Sequence, residues 1–315
     1  MSLIAKQSIY NFITISIAFI IGAINTLFLY PTYPGKEFQG LVVALLAISN
    51  LLQPFISFGV QHALIKFYSS YSNKQDRDNL LWFSIYFPMI IIIALIPVFV
   101  FLKPQLISFL TSVNQEIEKY FTMIFYIAIL TAYFEIFFSW LRIQLKTIFG
   151  NFLKEFYPRL LIFSLLLFYI FGFIDLDQFV DFLLIGYLIR LLIIVFYSFY
   201  IYTPSFRINL PENLLTILKY NFLIFLSGAA ASIILDIDKS MIYSILKVEN
   251  VAYYVVALYI ATVIEAPGRG LFQISSPLVA SAINKKDIKR LEVLLKKTSI
   301  NLIIVCGFVF IVINS

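Results

Sequence analysis

Charged residues are scarce in this sequence, and their scarcity decides the class of protein. Only 13% of the 315 residues are charged, whereas 61% are hydrophobic and 18% are aromatic. A typical soluble domain carries about 25% charged residues, so a water-soluble fold could not cover its surface with so few. The sequence therefore predicts an all-α, polytopic membrane protein.

Cysteine and histidine each occur once, which excludes several kinds of chemistry. The single cysteine, Cys306, can form neither an internal disulfide nor a CxxC metal site. The single histidine, His62, excludes an HExxH motif and a cluster of histidine ligands. No P-loop and no GxGxxG motif indicates a bound nucleotide. We therefore expect a protein that is not an enzyme, with no catalytic residue, no metal and no cofactor.

Nine apolar runs approach or exceed the length of about 20 residues that a transmembrane helix needs. They are Ile9–Tyr30, Leu41–Tyr68, Leu80–Leu102, Tyr120–Leu141, Phe156–Ile174, Phe179–Tyr202, Ile217–Leu235, Val251–Ile283 and Thr298–Ile313. The first run is too long for the apolar core of a signal peptide, so we interpret it as a retained helix.

The basic residues lie mostly in alternate loops between these runs, and they set the expected orientation. With a cytoplasmic N-terminus, most of the 23 lysines and arginines fall on the cytoplasmic side, as the positive-inside rule requires. The net charge of +6 is thereby explained without nucleic acid. The segment Asn284–Lys297 is either a basic amphipathic helix on an anionic leaflet or an ordinary cytoplasmic loop.

A shift of 213 residues superimposes part of the sequence on itself. The matching pairs are Val42–Leu45 with Val255–Leu258, Asn25 with Asp238, Tyr30 with Tyr243, and Pro54 with Pro267. The shift spans six helices, so both copies have the same orientation, which is typical of a parallel repeat. We therefore predict a six-helix lobe over residues 1–210 and, over residues 211–315, the first three helices of a second lobe.

Polar residues and helix breakers inside the apolar runs are the candidates for function, because charge at membrane depth costs roughly 2.5–3.5 kcal/mol per residue. Predicted substrate or cavity residues are Asn25, Asn50, Gln53, Arg190, Asp238, Lys239, Glu265 and Arg269. Predicted gate or kink residues are Pro54, Pro267, Gly268 and Gly270. Predicted basic residues of the inner mouth are Arg142, Lys146 and Arg159.

Each of these groups also has a purely structural explanation. The prolines can be packing kinks, and Glu265 and Arg269, four residues apart, can pair on one helix face. Lys239 can neutralise the carboxylates beside it at a helix end. The positive-inside rule alone accounts for the basic inner mouth.

The segments Leu235–Ile242 (LDIDKSMI) and Val251–Ala257 (VAYYVVA) carry a family resemblance. An acidic–basic helix end, an outer loop and a helix start with two tyrosines are similar to the polysaccharide flippase branch of the multidrug/oligosaccharidyl-lipid/polysaccharide exporter superfamily. Ala252 stands where that pattern usually has glycine. The turn at Gly59-Val60 toward Ala63 also looks similar. The chain departs from the family by lacking about three C-terminal helices.

The resemblance implies two six-helix lobes in a V shape, in the bacterial cytoplasmic membrane. Such proteins move undecaprenyl-pyrophosphate-linked oligosaccharides between leaflets for O-antigen, capsule or exopolysaccharide synthesis. Cationic cavity residues would then hold the pyrophosphate, an ion gradient or the membrane potential would drive transport, and polysaccharide polymerase machinery would be a partner. Two alternatives stay open: a drug/cation antiporter of the same superfamily, with Glu135 and Glu265 as its carboxylates, or a truncated remnant that does not transport.

Overall fold

The computed structural model describes residues 3–110, 113–144, 146–206, 209–263, 279 and 287–314. Within these ranges the chain forms helices and connecting loops, and no strand. The long helices are apolar, as expected for segments that cross a membrane. The prediction of an all-α, polytopic membrane protein is therefore confirmed.

Two of the helical segments are π-helices, labelled π1 and π2, and the others are α-helices. In chain order they are α1 Leu3–Ala23, π1 Ile24–Leu29, α2 Tyr30–Thr32, α3 Lys36–Ser57, α4 Val60–Tyr68, α5 Lys74–Leu110, α6 Ile117–Ile143, α7 Thr147–Asn151, π2 Phe152–Phe156, α8 Tyr157–Ile170, α9 Leu176–Ile201, α10 Leu214–Ile245, α11 Glu249–Val263 and α12 Ile288–Asn314.

Each of the nine predicted spans overlaps a helix in the described part of the chain. By length and hydropathy, five described helices qualify as membrane spans. Helix α10 is bent, and it is a sixth span if its two parts are taken together. The fifth predicted span begins earlier than expected, at Thr147, and contains π2. The basic segment from Ile288 onward is the first part of α12, which continues to Asn314, rather than a separate interfacial helix.

Helix α6 lies at the centre of the described bundle and packs against α3, α4 and α9. Trp140, Phe134 and Ile124 on this helix are buried, and aromatic side chains supply much of the contact. The opposite faces of the surrounding helices are also apolar, and Phe101 and Phe196 are largely exposed there. A helix that is apolar on all sides suits a bundle surrounded by lipid.

The second predicted span is broken between α3 and α4, four residues after Pro54. Phe58 adopts a left-handed conformation with φ of 45°, and Gly59 follows with φ of 74°. A Cβ atom on Gly59 would lie 2.7 Å from the backbone oxygen of Asn221, so glycine is required both by its backbone angle and by the close approach of α10. The break therefore lies where the second and seventh spans touch.

Helix α10 packs along α3 and α4 through aromatic pairs. The rings of Phe58 and Phe225 stack at 4.8 Å, and those of Phe67 and Tyr220 meet edge to face at 5.5 Å. Residues on both sides of the predicted boundary at 210 thus share one interface. The division into lobes over 1–210 and 211–315 stays a prediction.

Asn114, in the loop between α5 and α6, fastens the turn between α10 and α11. Its Nδ2 donates to the backbone oxygens of Tyr243 at 2.6 Å and Leu246 at 2.8 Å. Its Oδ1 accepts from the backbone N–H of Val248 at 3.0 Å. One buried amide thereby satisfies three backbone groups at the end of α10, which lack helical partners of their own. We refer to this arrangement as the Asn114 clasp.

The same end of the bundle is closed by contact between α3 and α11. A Cβ atom on Gly40 would lie only 2.2 Å from the backbone oxygen of Val248, so α3 approaches the turn as closely as a glycine permits. Lys36 also donates through Nζ to the hydroxyl of Tyr253 at 3.3 Å. The two sides of the predicted boundary at 210 are therefore in close contact at the end that carries the loops around residues 34, 115 and 247, which we call the closed end.

We predict that Asn114→Ala lowers the free energy of unfolding by about 1–3 kcal/mol, because it leaves buried backbone groups unpaired. Thermal denaturation of the purified protein in detergent measures the loss. Asn250→Ala is the matched control, since that amide donates to Lys247 O within its own turn at 3.1 Å. Equal losses in the two variants would contradict the role of the clasp.

Candidate substrate site

A buried amide in π1 contacts the first turn of α8, directly after π2. Asn25 in π1 is buried, and its Nδ2 donates to the backbone oxygen of Arg159, just after π2, at 2.8 Å. Its Oδ1 has no hydrogen-bond partner among the described residues. Wide helical turns of this kind occur frequently at functional sites. The segment around π2 is therefore a candidate functional site.

Residues of π2 and of the turn after it carry two ion pairs within the bundle. Lys154 Nζ lies 2.8 Å from a carboxylate oxygen of Glu135 on α6. Arg159 lies 3.2 Å from Glu155, four residues earlier on the same helical segment. The four side chains are between 22% and 36% exposed, so each pair is desolvated in part while an incoming ligand can still reach it.

A third cation, Arg190 on α9, approaches π2 from inside the bundle. Its Nε donates to the backbone oxygen of Leu153 at 2.9 Å, and its guanidinium stacks on the ring of Phe134 at 3.6 Å. Arg190 thereby donates to a backbone oxygen within π2. Arg190 is buried, and this contact ties α9 to π2; its role as a substrate or cavity residue stays a prediction.

These five charged side chains are called the π2 cluster. Three are cations and two are carboxylates: Lys154, Arg159, Arg190, Glu135 and Glu155. The cluster therefore carries a net positive charge, and Glu135 within it lies in the candidate span Ile117–Ile143, where charge is expensive. Such an arrangement favours an anionic ligand. No group of three metal-binding side chains occurs within the ranges that the structure describes.

Helix α11 reaches the π2 cluster from the far end of the chain. Tyr259 donates its hydroxyl to the backbone oxygen of Phe19 on α1. A Cβ atom on Gly22 would lie 2.6 Å from the Tyr259 hydroxyl and 3.2 Å from Arg159. The glycine therefore allows α1, α8 and α11 to meet at one point beside the cluster.

The predicted inner-mouth residues divide between this cluster and the surface. Arg159 belongs to the cluster, whereas Arg142 and Lys146 are exposed. Arg142 nevertheless lies near it, because its guanidinium and the Lys154 ammonium group lie 5.9 and 5.2 Å from the same ring, that of Phe138.

The other predicted site residues lie apart from the π2 cluster or outside the description. Asp238 accepts a hydrogen bond from Tyr254, and Lys239 pairs with Asp236 at 2.5 Å. Asn50 is exposed, and Gln53 donates to the Ser57 hydroxyl at 3.1 Å. The residues that lie outside the described ranges are Glu265, Pro267, Gly268, Arg269 and Gly270.

Sequence reasoning did not place Lys154, Glu155 or Tyr259 at the site. Lys154 lies just before an apolar run, where the positive-inside rule accounts for it, and Glu155 and Tyr259 lie in no motif. The available signal was Glu135, a carboxylate within the fourth apolar run, which requires a cation nearby. Which cation it meets depends on the packing of α6 against π2.

Comparison with known proteins yields one match. A family model described as "Polysaccharide biosynthesis protein" matches residues 4–266, which include α1 to α11 and the whole π2 cluster. No curated protein sequence and no solved structure matches the chain.

We predict that Glu135 and Lys154 are energetically coupled. Glu135→Gln or Lys154→Gln alone leaves a partly buried charge unpaired, whereas the double variant removes both charges, so the double variant should lose less stability than the two single losses together. A double-mutant cycle on thermal stability measures the coupling. Lys119 and Asp177, also an ion pair but more than half exposed, are the control, with coupling expected near zero. Equal coupling in both pairs would contradict the prediction.

Proposed function

The chain belongs to the polysaccharide biosynthesis family of membrane flippases, and on that premise we propose that it moves undecaprenyl-pyrophosphate-linked oligosaccharides across the bacterial cytoplasmic membrane. The match over residues 4–266 and the apolar helices support a multi-pass membrane protein of this family. Such a protein is surrounded by the lipid bilayer, and its cargo is a lipid-linked substrate.

The observation that carries the proposal is the π2 cluster. Arginine and lysine bind phosphate through charge-assisted hydrogen bonds, and arginine does so with a fixed fork of donors. Lys154 and Arg159 are each about one third exposed, so a pyrophosphate can reach them.

Substrate binding at this cluster would be an exchange of ion pairs. The pyrophosphate would take Lys154 and Arg159 from Glu135 and Glu155, which are their partners in this structure. The released carboxylates would then be unpaired at membrane depth, where a carboxylate tends to bind a proton or a cation. That exchange offers a route by which an ion gradient could couple to substrate release.

The closed end supports alternating access as the mechanism. The positive-inside rule assigns the end with the Asn114 clasp to the outer face, and transporters of the parallel-repeat type work by rocking two lobes around a central site. We propose that the structure is a state closed to the outside. Opening would require release of the contacts from Asn114, Gly40 and Lys36 to the α10–α11 hairpin.

A drug/cation antiporter is a weaker explanation of the same cluster. Such a protein would hold its cationic cargo with carboxylates, and both carboxylates of the cluster are already paired with cations. The excess of positive charge favours an anionic cargo instead.

Transport in proteoliposomes tests the proposal, with a fluorescent undecaprenyl-pyrophosphate-linked oligosaccharide as the probe. Lys154→Gln and Arg159→Gln should each slow its movement by about tenfold, since each removes a charge-assisted hydrogen bond to phosphate. Lys119→Gln, an exposed change at the closed end, should keep the parent rate. A parent chain that moves no substrate, or site variants that match the parent, would contradict the proposal.

A further inference from the structure

An apolar groove runs along the outer surface of α8 and α9, away from the rest of the bundle. It has a volume of about 560 Å³. Apart from Tyr157 and Gly186 its walls are apolar, and they include Leu161, Leu165, Phe168, Phe182, Ile185 and Ile189. Ile185 and Ile189 are each 45% exposed, so the groove opens toward the lipid.

A glycine and a tyrosine shape this groove. A Cβ atom on Gly186 would lie 2.3 Å from Leu161 Cδ2, so the absence of a side chain there lets α8 and α9 approach each other. The hydroxyl of Tyr157 donates to the backbone oxygen of Gly186 at 3.0 Å and ties the two helices together. The groove is therefore a built feature of the α8–α9 pair.

The groove ends beside the π2 cluster. Tyr157, at that end, is the residue that directly follows π2, and the backbone oxygen of Leu153 within π2 accepts from Arg190 Nε at 2.9 Å. Arg190 is one helical turn after Gly186 and next to Ile189 along α9. An apolar channel open to lipid thus leads to a net positive cluster, which complements a lipid whose long chain ends in phosphate.

We propose that the groove holds the polyisoprenyl chain of the lipid-linked substrate while its phosphates occupy the π2 cluster. This inference rests on the proposed function and names the subsite for the hydrocarbon part of the cargo. Hydrophobic burial cannot be the cause of binding, because bilayer lipid is as apolar as the groove. The chain is held there by close contact with the groove walls and by its tether to the bound head group, which raises its local concentration.

Photolabelling tests this subsite in the complete protein, reconstituted in lipid nanodiscs. The probe is a polyisoprenyl phosphate with a photoreactive group in its chain, and mass spectrometry locates the labelled residues. We expect the label on α8 and α9. A straight-chain alkyl phosphate of similar length should label them clearly less, because the groove must distinguish the substrate chain from ordinary lipid.

Groove-filling variants sharpen the test. Ile185→Trp and Ile189→Trp should each reduce labelling of α8 and α9 by at least about threefold, through lost contacts with the chain. Ile90→Trp is the matched control, since Ile90 on α5 is 63% exposed and lies outside the groove, and it should label like the parent. Unchanged labelling in the groove variants, or equal labelling by the alkyl phosphate, would overturn the proposal.

Transport of the parent chain in the proteoliposome assay distinguishes failure of the groove proposal from failure of the proposed function. A parent that transports substrate but carries label elsewhere overturns only the groove. A parent that carries label in the groove, with the expected chain preference, but transports nothing overturns the proposed function and leaves the chain-binding site standing.

Discussion

Pairing of charge at membrane depth is the constraint on which the rest of this structure depends. Glu135 cannot lie in α6 without a cation, and Lys154 on π2 supplies it at 2.8 Å. Arg190 in turn binds the Leu153 oxygen at 2.9 Å, a backbone acceptor of the π-helical turn. The unusual helix, the two ion pairs and the buried arginine are therefore one unit, because each part would be costly without the others.

This unit connects the two ends of the chain as well as the centre of the bundle. Helix π1 contacts it through Asn25, and Tyr259 on α11 lies beside Arg159 where both approach Gly22. At the opposite end, α11 begins beside the Asn114 clasp. Helix α11 thus joins the π2 cluster to the contacts at the closed end, and it is the route that we propose for their coupling in alternating access.

The amino-acid sequence was sufficient for the class of protein and for the approximate positions of the helices, because length and apolarity of a span follow directly from bilayer thickness. It also indicated that Asn25, Arg159 and Arg190 are polar groups within apolar runs, where a polar group requires a partner or a function. It could not reveal their contacts, since the residues Phe152–Phe156 read like any helix, and the π-helical turn depends on contacts from α1 and α9. Pro54 predicted a bend, but the left-handed residues that complete the break depend on how closely α10 approaches.

The most direct test of the account is the affinity of the purified protein for a polyisoprenyl pyrophosphate, compared between the parent and Glu135→Gln. If the substrate and Glu135 compete for Lys154, neutralising the carboxylate frees the lysine, and binding should become tighter by up to about tenfold, the value of one charge-assisted hydrogen bond. Binding that is unchanged or weaker in Glu135→Gln, with the protein folded, would contradict the exchange of ion pairs and with it the assignment of the π2 cluster as the head-group site.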